Sequence, residues 1–154
     1  MSCDESEIKS DLAGSETALK FAATCSWKGQ FKKADRFYKM VLDVRKKELG
    51  PAAHQTLVAN MSYFNDLMRQ SRFVEAERLA KEAVEDVKKV PKDLWFIGTS
   101  ERVSDVLVAQ KKYKEAIEIQ KEILKFSEKY APFECQSTIE DIDRIKIYMI
   151  QDSY

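Results

Sequence analysis

The chain has 154 residues, enough for one domain with a sizeable hydrophobic core. Lys and Arg together number 26, as do Asp and Glu, so the zero net charge excludes a bulk attraction to nucleic acid or to an anionic membrane. Only 4 Gly and 3 Pro leave too few turn residues for a strand-rich sandwich, and the abundance of Ala, Leu, Glu and Lys favours an all-α protein.

Apolar residues recur at helical spacing along most of the chain, and Gly, Pro and short polar stretches separate the segments. Residues 1–14 are acidic and polar, and they predict a flexible N-terminus without a secretory leader. The pattern then predicts seven helices, at about residues 15–28, 31–49, 55–70, 73–89, 94–110, 113–130 and 137–150.

The cysteine content and the hydropathy bear on the compartment of the protein. No apolar run approaches the ~18 residues that a membrane-spanning helix requires. The cysteines (Cys3, Cys25 and Cys135) are odd in number and lack metal-ligand spacing. We therefore expect a reduced, cytoplasmic chain that holds no metal and contacts no membrane.

One sequence pattern occurs three times along the chain. The copies are GQFKKADRFYKMVL from Gly29, SRFVEAERLAKEAV from Ser71 and KKYKEAIEIQKEIL from Lys111. In each copy an aromatic residue precedes an alanine by three positions, so both lie on one helical face. The alanine methyl lets the preceding helix approach closely, which predicts a helical hairpin in each copy. Hairpins of this size bury their apolar faces by stacking on one another.

The first copy carries a known motif. Gly29, Phe31 and Ala34 match G-x-[FY]-x-x-A, in which this sequence resembles the tetratricopeptide repeat (TPR) family. The resemblance implies an α–α superhelix, or solenoid, of three TPR-like hairpins plus a C-terminal capping helix. We place one TPR-like domain at residues 15–150, with repeats at about 15–50, 51–91 and 92–131 and the capping helix at about 137–150.

The joint between the first two hairpins, VRKKELGPAAHQTL, is similar to the LG-x-x-HP-x-T link of the longer-period repeats in kinesin light chains. Leu49, Gly50, His54 and Thr56 match this link, and Gln55 replaces its proline. Gly50 is predicted to end one helix as a left-handed cap, and Thr56 to open the next as its N-cap. His54 is the only histidine and lacks a second ligand at metal spacing, so we expect it to be structural rather than catalytic.

The capping helix is predicted to pack through one face. Its opening residues STIE place Ser137 and Glu140 in a capping box. The residues predicted to face the third hairpin are Ile139, Ile142, Ile145 and Met149. The neighbouring acidic residues Glu140, Asp141 and Asp143 are expected to be solvated.

Both ends of the solenoid are candidate contacts. Ile147 and Tyr148 fall off the packed face of the capping helix, and the N-terminal segment is too short and polar to cover the first helix. We expect a partner or a second copy of the chain to cover one of these ends, a symmetric homodimer being the simplest closed arrangement. The alternative is that these are scattered surface residues without a partner.

The first helices of stacked hairpins line the concave face of such a solenoid. The candidate lining residues are Leu19, Ala23 and Trp27; Met61, Asn65, Met68 and Arg69; and Glu101, Asp105 and Val108. They predict a groove that is apolar and rich in methionine at one end and acidic at the other, as suits a protein partner. The alternative is that the apolar members pack between repeats as core.

Motifs of catalysis are absent from the sequence. It has no glycine-rich phosphate loop, no GxSxG and no CxxC, so we predict neither an enzyme nor a cofactor. The basic clusters fall at helix ends, where they suit the helix dipole rather than nucleic acid.

Two functions from different classes remain. The first is an adaptor or scaffold that binds a peptide segment of a partner protein in the concave groove. The second is a constitutive structural subunit, or a self-associating module, that makes contact through its ends and convex face. The resemblance leaves the ligand open, because Met61 and Ser62 stand where kinesin light chains carry paired asparagines that hold a cargo peptide.

Overall fold

The computed structural model describes residues 8–154, and this part of the chain is all-α, as predicted. Its helices are α1 (Leu12–Trp27), α2 (Phe31–Leu49), α3 (His54–Arg69), α4 (Phe73–Lys88), α5 (Trp95–Ala109), α6 (Tyr113–Tyr130) and α7 (Cys135–Gln151). A short 3₁₀ turn, Pro132–Glu134, leads into α7. None of these helices is long and apolar enough to cross a bilayer.

The helices fall into two compact units, one ending at Gln70 and one running from Ser71 to Tyr154. In the first unit, α2 packs against both α1 and α3. In the second unit, each helix packs against the next, from α4 to α7. The extent of a single domain over residues 15–150 stays a prediction.

The first helix begins earlier than predicted. The carboxylate of Asp11 accepts a hydrogen bond from the Gly14 N–H at 2.7 Å and so caps α1, which begins at Leu12. The end of the predicted flexible segment is therefore helical, because a side-chain cap satisfies one of the free amides of the first turn. Residues 1–7, which include Cys3, lie outside the described residues.

The α1–α2 turn and the α5–α6 turn share one backbone geometry. Gly29 has φ 74° and Lys111 has φ 61°, and the next N–H in each turn donates to a carbonyl in the last turn of the helix. These bonds join Gln30 to Cys25 at 2.9 Å and Lys112 to Leu107 at 2.8 Å. This is the Schellman arrangement, and it confirms the turns predicted at Gly29 and Lys111.

The repeated alanines have the predicted environment. Ala34, Ala76 and Ala116 lie in the first turns of α2, α4 and α6, and all three are 0% exposed. The aromatic residue of each copy is the first residue of the same helix. An alanine at this position allows the close approach of a neighbouring helix that a larger side chain would prevent.

The joint before α3 differs in detail from the prediction. Gly50 has positive φ, as predicted, but its φ of 99° and ψ of 154° lie outside the left-handed helical region. Thr56 is the third residue of α3, so the prediction that it is the N-cap is wrong. Its buried hydroxyl instead donates to the Gly50 carbonyl oxygen at 2.8 Å and ties the joint to the helix.

The start of α7 also differs from the prediction. The helix begins at Cys135, directly after the 3₁₀ turn, so Ser137 lies inside the first turn and cannot cap it. The predicted capping box is therefore wrong. Glu140 accepts a hydrogen bond from the Gln136 side chain at 2.9 Å instead.

The packed face of α7 is only partly the predicted one. Ile142 and Ile145 are buried, whereas Ile139 is 42% exposed. Thr138 is buried in its place, and its hydroxyl donates to the Glu134 carbonyl at 3.0 Å. The reason is helical geometry: Thr138 lies four residues before Ile142, on the same stripe, and Ile139 lies at its edge.

A buried arginine links the three helices of the first unit. Arg45 of α2 is 2% exposed, although it belongs to one of the basic clusters at helix ends, Arg45-Lys46-Lys47. Its Nε donates to Ser15 Oγ at 3.1 Å and its Nη1 to the Gln55 carbonyl at 2.8 Å. Its Nη2 lies 3.0 Å from a carboxylate oxygen of Glu16. The guanidinium is therefore a structural tie between α1, α2 and the start of α3.

Candidate protein-interaction sites

The predicted groove residues of the first unit differ in exposure. Trp27 is 76% exposed, and Asn65 and Arg69 are also exposed. Ala23, Met61 and Met68 are half-buried. Leu19 is 8% exposed, because it shares the buried stripe of α1 with Ser15, Ala22 and Ser26, and this places it in the core.

Two of the exposed residues contact each other. The guanidinium carbon of Arg69 lies 4.3 Å from the ring centroid of Trp27, in cation–π geometry. Arg69 Nη2 also lies 2.5 Å from Ser26 Oγ and 2.5 Å from Asp66 Oδ1. We call Ser26, Trp27, Asp66 and Arg69 the Trp27 patch.

A buried carboxylate holds the Trp27 patch together. Asp66 is 5% exposed, and it accepts hydrogen bonds from Ser26 and from the Gln70 side chain, the latter at 2.9 Å. A carboxylate this buried requires a paired cation, which Arg69 supplies. The Arg69 guanidinium therefore has two partners: the buried Asp66 carboxylate accepts its hydrogen bond, and the exposed Trp27 ring lies against it.

The same charge acts on a neighbouring aromatic pair. Tyr38 stacks on Tyr63 with the ring centroids 4.8 Å apart. Burial, and secondarily the negative charge of Asp66, raise the pKa of Tyr38 to about 12, with Arg69 offsetting part of the rise. The charges of Asp66 and Arg69 therefore reach the buried aromatic pair next to the patch.

The second unit brings three predicted groove residues together with a predicted end contact. Glu101, Asp105 and Val108 of α5 line a pocket of about 380 Å³, and Tyr148 of α7 lines it too. The other lining residues are Ser104, Gln120, Asp141, Arg144 and Ile145. We call this cavity the α5–α7 pocket. Ile147 is 53% exposed and lies outside it.

The acidic side chains of the pocket repel one another. Burial raises the pKa of Glu101, and the charges of Asp141 and Asp105 add to the rise. Burial also raises the pKa of Asp105, where Arg102 offsets part of the rise and Asp141 adds to it. Burial is therefore the main cause of both rises, and the charge of Arg102 opposes both.

The comparisons with known proteins concern the fold. No protein-family model matches the sequence, and no curated protein matches it. Among the solved structures that match the fold are two crystal structures of nearly identical TPR-like repeats from a Podosopora anserina protein described as a kinesin light chain, one of them a substituted variant. Their TM-scores are 0.65 and 0.64, with 15% and 14% sequence identity, over 89% of this chain and 68% of the other. The chain has a TPR-like fold.

The repeated aromatic-x-x-Ala motif, on which the predicted resemblance to TPR proteins was based, occupies equivalent positions in this fold. The three aromatic-x-x-Ala copies open α2, α4 and α6, and the turns before α2 and α6 have matching geometry. The resemblance is therefore confirmed at the level of the fold.

The predicted site residues did not include five residues of the α5–α7 pocket: Ser104, Gln120, Asp141, Arg144 and Ile145. Asp141 was expected to be solvated, yet its side chain is only 20% exposed and lines the pocket. It lies four residues before Ile145 and seven before Tyr148, a helical stripe that could have revealed it. Gln120 lies four residues after Ala116 and three before Ile123, on the buried stripe of α6, and this spacing could have revealed its burial.

The described residues contain no group of three or more His, Cys, Asp or Glu side chains placed to hold a metal ion.

Proposed function

We propose that this TPR-like chain is a protein–protein interaction module that binds a segment of a partner protein at the Trp27 patch. The observation that carries the proposal is an exposed tryptophan whose ring is held by an ion-paired arginine. Tryptophan and arginine are among the residue types most enriched at the energetic centres of protein interfaces.

The Trp27 patch is ordered before any partner arrives. Arg69 is held by Ser26 and Asp66, and Trp27 lies against the held guanidinium. Side chains that are already fixed lose less conformational entropy on binding, which raises affinity. This order supports a recognition role over that of an unconstrained surface tryptophan.

Neighbouring residues of α3 extend the surface. Met61, Asn65 and Met68 follow one helical face toward Arg69. Asn65 is exposed, and the two methionines are half-buried. Methionines adapt to irregular apolar partners, and the asparagine amide can donate to and accept from a peptide backbone. We propose that these residues line the site that takes the partner segment.

A random peptide library displayed on phage can test this proposal. Peptides selected on the unaltered chain are measured against Trp27→Ala, which leaves the Arg69–Asp66 pair in place. We expect the dissociation constant to rise by roughly thirtyfold or more, as for a hot spot worth about 2 kcal/mol.

The matched control is Val74→Ala, because Val74 is as exposed as Trp27 but lies in α4. We expect this change to leave peptide affinity unaltered. If Trp27→Ala binds the selected peptides as tightly as the unaltered chain does, the peptides bind at a surface other than the Trp27 patch.

A second candidate function is a structural subunit or self-associating module that makes contact through α7. The observation that favours it is a set of exposed isoleucines on this helix: Ile139, Ile147 and Ile150 are 42%, 53% and 56% exposed. Light scattering over a concentration series tests it, since Ile147→Lys with Ile150→Lys should abolish any self-association. A chain that is monomeric at every concentration would remove the homodimer form of this candidate.

A further inference from the structure

The α5–α7 pocket concentrates negative charge from two helices. Glu101 and Asp105 enter it from α5, and Asp141 enters from α7. Arg144 is the one basic residue of the lining, and it already pairs with Asp141. Arg102 acts on both carboxylates of α5 from outside the lining, so three carboxylates face two arginines. The net charge around the pocket is therefore negative, which favours a bound cation.

A buried acceptor in the same pocket points to a hydrogen-bonding ligand. Gln120 is 4% exposed, and its Oε1 has no hydrogen-bond partner in the described part of the chain. A buried carbonyl oxygen without a partner is unfavourable, and a donor placed in the pocket would satisfy it. This observation is independent of the carboxylates and concerns a different helix, α6.

The composition of the lining favours a planar cation on an apolar stem. Val108, Ile145 and Tyr148 line the pocket together with the carboxylates. Such side chains suit the methylene groups of a long basic side chain, and a tyrosine ring can accept a cation over its face. A guanidinium carries five donors in a plane and can reach several separated acceptors, whereas an ammonium concentrates three donors at one atom.

We infer that the α5–α7 pocket binds the guanidinium group of an arginine side chain supplied by a partner protein, with Glu101, Asp105 and Gln120 accepting its hydrogen bonds. The inference rests on the proposed role in protein interaction and adds the chemistry of one contact. It concerns the second unit, so a failure of the Trp27 patch to bind peptide leaves it standing.

Small probes can test the pocket without knowledge of the partner. The full chain, labelled with ¹⁵N, is titrated with an arginine tripeptide blocked at both ends, Ac-Gly-Arg-Gly-NH₂, and with its neutral citrulline counterpart. We expect saturable shifts of backbone amides around Asp105, Gln120 and Asp141 with the arginine peptide only. Equal shifts with citrulline, or none with arginine, would overturn the inference.

Variants distinguish the pocket from a general attraction of charges. Glu101→Gln with Asp105→Asn should raise the dissociation constant of the arginine peptide at least fivefold. Gln120→Leu should also raise it, without any change in the charge of the pocket. Glu118→Gln with Glu140→Gln removes the same charge from exposed positions and should leave binding unaltered. Equal losses in the two double variants would overturn the site.

Two further probes identify the source and the type of the cation. Propylguanidine presents a guanidinium of the same charge without a peptide, and the lysine tripeptide presents an ammonium on a peptide. We expect the arginine peptide to bind at least threefold more tightly than either. Tighter binding of propylguanidine would overturn assignment to a partner protein, and tighter binding of the lysine peptide would overturn assignment to arginine.

Discussion

The ammonium group of Lys112 lies 3.0 Å from a carboxylate oxygen of Glu77, which joins the turn before α6 to α4. The same oxygen accepts a hydrogen bond from the Gln110 side chain at 2.7 Å, and Lys81 lies 2.5 Å from the other oxygen. These contacts, chiefly that with Lys81, lower the pKa of Glu77 to about 2. The carboxylate therefore stabilises the packing of α4 against the α5–α6 turn.

Glu77→Gln should lower the free energy of unfolding by roughly 1–2 kcal/mol at pH 7, since it removes a charged acceptor of several hydrogen bonds. Glu77 has a folded-state pKa below its ordinary value of 4.5, so its stabilisation is present above that value. It should disappear as the pH falls toward 2. Urea denaturation over a series of pH values measures this difference.

The control for Glu77 is Glu118→Gln, which alters an exposed ion pair with Lys121. Such a pair contributes little, and we expect a change within about 0.5 kcal/mol at every pH. A Glu77→Gln variant as stable as the parent at pH 7 would contradict the structural role of this carboxylate.

Glu101→Gln with Asp105→Asn should have the opposite effect and stabilise the fold at pH 7. Both carboxylates have a raised folded-state pKa, mainly through burial, so their ionisation opposes folding. The cost is present above the raised pKa and vanishes as the pH falls through the ordinary values of 4.5 and 3.8. Thermal melts should therefore show a higher Tm for the variant at pH 7 and a shrinking difference at acidic pH.

The groups that face these two carboxylates set the limits of this prediction. Arg102 and Arg144 favour the charged forms, whereas Glu134 and Asp141 oppose them. A variant with a lower Tm than the parent at pH 7 would mean that the arginines dominate. Glu115→Gln with Glu118→Gln, both exposed on α6, is the matched control, and we expect it to leave the Tm nearly unaltered.

Ala34→Leu should destabilise the first unit by about 1–3 kcal/mol through overpacking. Ala34 is 0% exposed in the first turn of α2, which packs against α1, so there is no space for the added carbons. Ala13→Leu makes the same substitution at an exposed position of α1 and should be nearly neutral. Chemical denaturation measures both, and equal stabilities would contradict the role of the repeated alanine.

Arg45→Met should cost roughly 1–3 kcal/mol, because it leaves the buried Ser15 hydroxyl and the Gln55 carbonyl without their donor. Arg45→Lys should also destabilise, since one ammonium cannot reproduce the spread of contacts made by a guanidinium. The comparison is Lys47→Met, a nearby basic residue whose side chain is 83% exposed. If thermal melts give Arg45→Met and Lys47→Met the same Tm, the contacts of the Arg45 guanidinium do not stabilise the fold.

The sequence by itself determined the local structure of this protein. The apolar period placed the seven helices of residues 8–154, and Gly29 marked a turn that needs positive φ. The three buried alanines followed from their spacing to an aromatic residue, and the same motif led to the TPR-like fold. These features depend on interactions within one helix or across one short turn, which neighbouring residues in the chain decide.

Only the tertiary structure decided which side chains meet and how deeply each is buried. Helical spacing put Leu19 and Trp27 on the same predicted lining, yet one is core and the other is 76% exposed. Asp66 anchors Arg69 beneath Trp27, and Gln120 lies in the α5–α7 pocket beside residues of α5 and α7. A sequence period gives the direction of a side chain around its helix, but burial depends on the helix that packs against it, and long-range packing sets that.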